Sequence, residues 1–226
     1  DGTGSGNQTL LNALSNYTPD DQRIITSEDL ADLNLAKPHV LSLQSRPANN
    51  EGKGEITLQQ LVINTLRQRP DRIVVGECRG PEAFDMLQAM NSGHDGSLTT
   101  THANNPRAAL DRLQNLVQMS RAGANMPPDA IMKIITEAVD FVVEIKRLPD
   151  GSRRVNNICE VCGMQGNVPT IGSIMKFQKT GVDGNGRIMG EFRPTGSRIV
   201  SEEHKERFYS NGIEIKPEWF DNGGLW

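Results

Sequence analysis

The rhythm of apolar and polar positions changes once along the 226 residues. From 9 to about 15, apolar residues recur at helical spacing until Asn16-Tyr17-Thr18-Pro19-Asp20-Asp21 stops them. Residues 23–26 read as a short strand, and 40–45 alternate apolar and polar side chains as a half-buried strand does. Leu58, Leu61, Val62 and Leu66 share one helical face, ended by Pro70-Asp71. Ile73-Val74-Val75 is a compact apolar run that suits a buried parallel strand. Pro81 opens the next helix and Gly93 closes it. A β-rich stretch at 97–101 follows, then a helix from Asn105-Pro106 carrying Ala109, Leu110, Leu113 and Leu116. Another helix covers 129–139 and another strand 141–145. Strands alternating with helices predict an α/β fold with a mainly parallel sheet.

After residue 148 the texture becomes that of hairpins. Leu148-Pro149-Asp150-Gly151 and Gly181-Val182-Asp183-Gly184-Asn185-Gly186 supply the positive φ that tight hairpin turns need. They join strands near 154–162, 175–179 and 187–193, and a polar stretch over 201–207 starts a terminal helix before a frayed tail at 221–226. The expected organisation is one domain over 1–200, with an α/β core at 1–148 and a hairpin region at 149–200, then a C-terminal helix and tail at 201–226.

Composition narrows the function classes. A net charge of −4 argues against a dedicated nucleic-acid binder. No run of about eighteen apolar residues would span a membrane. There is no secretory signal and the first residue is Asp1, so the chain reads as a fragment. Three cysteines suit a reducing cytoplasm. Cys159 and Cys162 form a C-x-x-C inside a predicted strand, where residues three apart face opposite ways, so packing is the better reading than zinc ligation. Cys78 reads as filler of a buried strand rather than as a nucleophile.

The chemistry begins at the first dozen residues. Gly2, Gly4 and Gly6 alternate with Thr3 and Ser5 and run into the first helical pattern. Glycines let consecutive backbone N–H groups curl around an anion, and the helix adds its positive end. This is how a phosphate loop is built, but the pattern G-x-x-x-x-G-K-[ST] asks for lysine and a hydroxyl where the chain has Asn7 and Gln8. Asp1 stands in the slot of the first glycine.

Three further stretches follow in order: Arg23-Ile24-Ile25-Thr26-Ser27-Glu28-Asp29, then Arg72-Ile73-Val74-Val75-Gly76-Glu77-Cys78-Arg79-Gly80, then Gly93-His94-Asp95-Gly96-Ser97-Leu98-Thr99-Thr100-Thr101-His102-Ala103-Asn104. With the glycine-rich loop, these resemble the secretion and pilus-assembly ATPases of the type II/type IV superfamily, and most closely the CpaF-like ATPases of tight-adherence (Flp) pili. The resemblance runs from Gly2 to about Gly212. It implies a RecA-like P-loop NTPase core with a mainly parallel sheet and a hairpin-rich C-terminal part, lacking the family's N-terminal domain and first core strand. That strand would be central to the sheet, so the fragment is expected to be less stable than its parent.

The resemblance also implies roles. Gly2, Thr3, Gly4, Ser5, Gly6, Asn7, Gln8 and Thr9 would hold the phosphates of ATP. Glu77 matches the Walker B glutamate, acting on Mg²⁺ through water. Glu28 matches the carboxylate that orients or deprotonates the attacking water, with Asp29 beside it and Asp32 where the family usually has glutamate. His94 and His102 bracket the His box, with His102 the better placed to sense the γ-phosphate. Gln8 or Thr9 would contact Mg²⁺, and Arg23 and Arg46 are the candidate arginine fingers. The implied assembly is a cytoplasmic homo-hexameric ring, peripheral at the inner membrane through a platform protein of a pilus or secretion system. Three functions remain open: an ATP-hydrolysing motor, a ring subunit with impaired catalysis because of Asn7 and Gln8, and a DNA-transport ATPase.

Overall fold

The computed structural model describes residues 6–221. The chain divides into two compact units, one of Gly6–His102 with Ala109–Ala138, the other of Ala103–Ala108 with the chain from Val139 onward.

The first unit is built on a parallel sheet. Its strands are β1 (Ile24–Glu28), β2 (Val40–Gln44), β3 (Arg72–Val75) and β4 (Leu98–Thr99), in the order β2-β1-β3-β4. Ile24 lies opposite Val40 on one side and Arg72 on the other, and Val75 opposite Thr99. The connections are helical: α1 (Asn7–Ser15) precedes β1, α2 (Leu58–Thr65) leads to β3, and α3 (Glu82–Met90) to β4. Thr57 caps α2 in a capping box with Gln60, whose side chain returns to the Thr57 N–H.

The core follows from the pattern of apolar residues. Leu11 of α1 packs with Ile24, Leu33, Leu35 and Val74, and Val40 and Leu98 close the cluster. Burying each such side chain contributes about 1.5–3 kcal/mol, which is what fixes α1 on the sheet. The helices α4 (Pro106–Gln118) and α5 (Pro128–Ala138) bury Leu110, Leu116, Ile131 and Ile135 completely.

The second unit is an antiparallel meander of β5 (Phe141–Arg147), β6 (Arg153–Gln165), β7 (Val168–Val182) and β8 (Ile188–Pro194). The helix α6 (Glu202–Ser210) follows. Ile174, Ile199 and Phe220 form its core with Phe141, Met175, Phe208 and Ile215. The strand at 141–145, read from the sequence as part of the α/β core, hydrogen-bonds instead to β6, with Phe141 opposite Glu160. In the structure this strand goes with the second unit, which takes up the chain again from Val139.

Cys159 is buried and Cys162 half-buried, both as free thiols. Burial pushes both up, Cys162 to about 11, with the Glu160 charge adding, as suits packing residues rather than nucleophiles.

Candidate active site

In open parallel sheets, ligands bind beyond the carboxyl ends of the strands. Here that edge carries Arg46 after β2, Glu28 and Asp29 at the end of β1, Gly76 and Glu77 after β3, and His102 after β4.

The amino end of α1 comes to the same edge. Gly6 closes the loop in the left-handed region, φ 101°, and its carbonyl accepts the first helical bond from Leu10 N–H. The helix thus starts at Asn7, two residues before Thr9, where the sequence pattern puts it, and its N-cap residue Gly6 has no side chain to cap the first turn. Its first N–H groups have no intrahelical partner, and the helix directs its positive end toward whatever anion lies there. Gly2, Thr3, Gly4 and Ser5 of the phosphate-loop reading lie outside the described residues.

Gly76 is the meeting point of this edge. A Cβ there would stand 3.0 Å from Cγ of Glu28, 3.4 Å from its Oε1 and 3.6 Å from Nε2 of Gln8. A methyl group there would crowd these side chains, and Glu28 would have to give by a few tenths of an ångström. Gln8 therefore turns inward while Thr9, one residue further around the helix, is exposed. The Gln8 carbonyl oxygen Oε1 is buried and has no hydrogen-bond partner among the described residues.

Glu28 is 2% exposed. Its Oε1 accepts N–H bonds from Asp32 at 3.1 Å and Leu33 at 2.9 Å, which fix the carboxylate plane. Among the described residues no hydrogen bond holds Oε2. Burial pushes the carboxyl above the ordinary glutamate value, the two N–H bonds oppose this, and the Asp32 charge adds to it. Asp29 and Asp32 are exposed, and Asp29 Oδ1 accepts the Ser45 hydroxyl.

Glu77 is held between two partners. Arg79 donates to Oε2 at 2.6 Å, and His102 Nε2 lies 3.2 Å from Oε1. The structure thus joins two residues that the sequence separates by twenty-five positions. Cys78 lies past the end of β3, not within it, and burial pushes its thiol up to about 12. It is inert filler.

The other candidates do not join the group around Gly76. His94 precedes β4 while His102 follows it, so the strand separates the two, and His94 Nδ1 is 3.0 Å from the Ala89 carbonyl at the end of α3. Arg23 precedes β1, at the amino edge. Its Nε donates to the Gln68 carbonyl at 3.0 Å, a terminal nitrogen meets His39 Nε2 at 2.5 Å, and its N–H reaches Asp71. Arg46 stands at the carboxyl edge but donates to the Gly54 carbonyl at 2.7 Å. Among the described residues there is no cluster of three or more His, Cys, Asp or Glu set to hold a metal ion. Two residues of this edge escaped the reading of the sequence, Gly76 and Thr100. Both stand inside the quoted motifs, and only the close approach of neighbours marks them.

Comparison with known proteins agrees with this fold. The family described as Type II/IV secretion system protein matches residues 1–205. Among solved structures, the VirB11 ATPase of the Brucella suis type IV secretion system, in complex with sulphate, aligns with a TM-score of 0.63 at 34% identity. That alignment covers 70% of this chain and 46% of that one. The type IV secretion system protein VirB11 of Bartonella henselae is 36% identical over 156 residues, 69% of this chain and 43% of the relative. The conjugal transfer protein TrbB of Rhizobium radiobacter is 36% identical over 170 residues, 74% of this chain and 48% of the relative. The chain spans a little under half the length of these relatives. With a family match over residues 1–205, and with an α/β unit followed along the chain by an antiparallel hairpin unit, the chain belongs to the type II/IV secretion system protein family.

Proposed function

We propose that this chain is the nucleotide-hydrolysing part of an ATPase that drives protein secretion or pilus assembly, in the branch resembling the CpaF-like tight-adherence ATPases. The convergence of the α1 amino end, Gln8, Glu28 and the Glu77–His102 pair around Gly76 carries the reading. In it, ATP lies with its phosphates against the first turn of α1, and Gly2 to Thr9 supply the binding segment. The buried Gln8 carbonyl, unpartnered among the described residues, is the chemistry a hard cation asks for, whereas Thr9 faces solvent, so Gln8 and Glu77 (through water) would hold Mg²⁺. The ion, when bound, neutralises charge on the β- and γ-phosphates.

Glu28 then acts as the base. Its fixed plane and raised pKa suit a group that takes the proton of a water as the water oxygen bonds to the γ-phosphorus. The bond from that phosphorus to the β-bridging oxygen breaks, and ADP leaves with the electron pair. His102, on Glu77, reports or stabilises the γ-phosphate, and His94 acts only as a structural neighbour of α3. Arg23 or Arg46 would reach a phosphate across a subunit interface of a homo-hexamer. An inner-membrane platform protein would receive the force. In this setting the chain is cytoplasmic and peripheral to the membrane. Among the described residues no helix is long and apolar enough to cross a bilayer.

A second reading rests on Asn7 and Gln8. Asparagine carries no charge where the pattern has lysine, and losing one preorganised charge stabiliser costs roughly 10²–10³ in rate. The chain would then be a slow or silent subunit of the same ring. DNA transport, suggested by the name of the conjugal transfer relative, sits less well with the net charge of −4. Calorimetry and turnover of Mg²⁺-ATP on this chain and on Asn7→Lys/Gln8→Thr decide between the first two. The expected result is weak binding and slow turnover that the double substitution raises by about 10²–10³-fold. Equal rates would show that backbone N–H groups and arginines supply the charge, and absence of binding by both would remove the ATPase reading.

Gly76→Ala tests the meeting point itself. The added methyl would press Glu28 aside by a few tenths of an ångström, and since a misplacement of about 1 Å at a reacting centre costs on the order of 10²-fold, the rate should fall by up to about tenfold. That loss is expected in the Asn7→Lys/Gln8→Thr background with nucleotide affinity retained. A rate within twofold of the parent would place Glu28 away from the reaction.

A further inference from the structure

The parallel ladder between β3 and β4 ends at Val75 and Thr99, yet the backbone beyond it stays in register through one side chain. The Thr100 hydroxyl donates to the Gly76 carbonyl at 2.7 Å, and the Thr100 carbonyl accepts from Cys78 N–H at 2.8 Å. These two bonds grip the residues on either side of Glu77. Gly76 N–H is tied in turn to the Ser27 carbonyl at 3.0 Å, so Gly76 hangs between β1 and Thr100 with its bare face against Glu28. The neighbouring hydroxyls do less. Thr99 reaches the Cys78 sulphur at 3.3 Å, and Thr101 reaches the Cys78 carbonyl at 3.4 Å, near the limit of a hydrogen bond.

We propose that Thr100 is a positioning residue that sets the spacing of the two site carboxylates, Glu28 and Glu77, by holding Gly76 and Cys78 with one side chain and one carbonyl. The hydroxyl does what the next strand residue's N–H would do in a longer ladder, and it leaves the chain free to turn Glu77 toward His102. The loop has further anchors, since Glu82 Oε1 accepts Arg79 and Gly80 N–H, but these lie on the far side of Glu77. A valine has nearly the same shape as threonine and no donor, so Thr100→Val releases the Gly76 carbonyl with little change of packing. Thr100→Ser keeps the donor. The inference rests on the proposed role of this edge, so its test has one arm that needs no turnover.

In the first arm, ¹⁵N long-range NMR on the 226-residue chain reads the state of His102 Nε2. With Glu77 Oε1 as acceptor, Nε2 carries a proton in the parent and in Thr100→Ser. In Thr100→Val the Nε2 resonance moves toward the value of a ring averaging between its tautomers. In the second arm, single-turnover hydrolysis of Mg²⁺-ATP in the Asn7→Lys/Gln8→Thr background is expected to fall about 10–10²-fold in Thr100→Val, with nucleotide affinity unchanged and with recovery in Thr100→Ser. If Thr100→Val fails to fold, Thr100→Ala against Thr100→Ser carries the same comparison. An unmoved His102 resonance in the donor-free variant, or a serine variant that behaves like valine, overturns the proposal. If no variant hydrolyses ATP, the ATPase reading falls while the NMR arm still decides whether Thr100 positions Glu77.

Discussion

Glu28→Gln is expected to lower the rate of ATP hydrolysis by about 10²–10⁴-fold, the usual contribution of a general base, without lowering the melting temperature. Glutamine keeps a carbonyl for the Asp32 and Leu33 N–H groups, so the turn after β1 stays capped. What it removes is a buried negative charge. Burial places the folded-state pKa of Glu28 above its unfolded value, so its protonated form favours the fold. That stability is present below the unfolded value and is lost as pH rises through the folded one. At neutral pH the ionised carboxylate therefore costs stability, and the amide relieves that cost. The same shift places the acid limb of the parent's pH–rate profile above the ordinary carboxylate range, and the variant should lack that limb. Single-turnover kinetics in the Asn7→Lys/Gln8→Thr background and a thermal melt of the same samples check both parts. A variant that melts lower and still turns over would make Glu28 a loop cap alone.

Much of the parallel unit is legible in the sequence because local signals agree there. Pro81 and Gly93 punctuate α3, Ile73-Val74-Val75 has the length and β-branching of a buried strand, and α4 and α5 carry clear helical spacing. The antiparallel unit is less legible. β7 runs from Val168 to Val182, but Gly172, Gly181 and a polar run of Lys176, Gln178, Lys179 and Thr180 hide its ends. Pairing along β6 and β8 sustains it where propensity does not. β5 was visible as a strand, but its partner was not, since a short apolar run reads alike in parallel and antiparallel sheets.

The site divides in the same way. Glu28, Glu77 and His102 stand at strand ends, where the position of a polar residue after an apolar run signals the carboxyl edge. His94 carries the same motif label yet precedes its strand, and only the strand's direction shows that it leaves the group. Gln8 against Thr9 could not be decided without the start of α1, because one residue of helix phase turns a side chain by about 100°. The pairing of Glu77 with Arg79 and His102 depends on where β4 lies beside β3, which no local pattern encodes.

The second unit contains a cluster that no pattern announced, and it carries the largest expected effect on stability. His204 of α6 is buried with its Nδ1 2.8 Å from Glu160 Oε1 and its Nε2 3.2 Å from Asp140 Oδ1, while its ring lies 5.3 Å from that of Phe141. Glu160, 1% exposed, also accepts Val200 N–H and Ser201 N–H, and Arg207 pairs with Asp140 and Glu203. Burial works against ionisation of both residues, but their partners outweigh it. The N–H of Val200, His204 and the N–H of Ser201 hold Glu160 below its ordinary range, and Asp140 and Glu160 hold His204 above its own. Glu160→Ala strands these donors and the imidazolium in a site that water does not reach. The expected loss is about 3–5 kcal/mol, read as an early melt of this unit and as fast hydrogen exchange over α6. The sign of the pH dependence differs for the two groups. The share due to Glu160 is present above its unfolded value of 4.5 and is lost as pH falls through its lowered folded value. The share due to His204 is present below its unfolded value of 6.5 and is lost as pH rises through its raised folded value. α6 should therefore hold best between these limits and exchange faster on the alkaline side. His204→Gln should abolish that alkaline change while leaving the acid one. An α6 whose exchange in Glu160→Ala matches the parent would show that Phe208, Ile199 and Phe220 dock the helix without the ionic cluster.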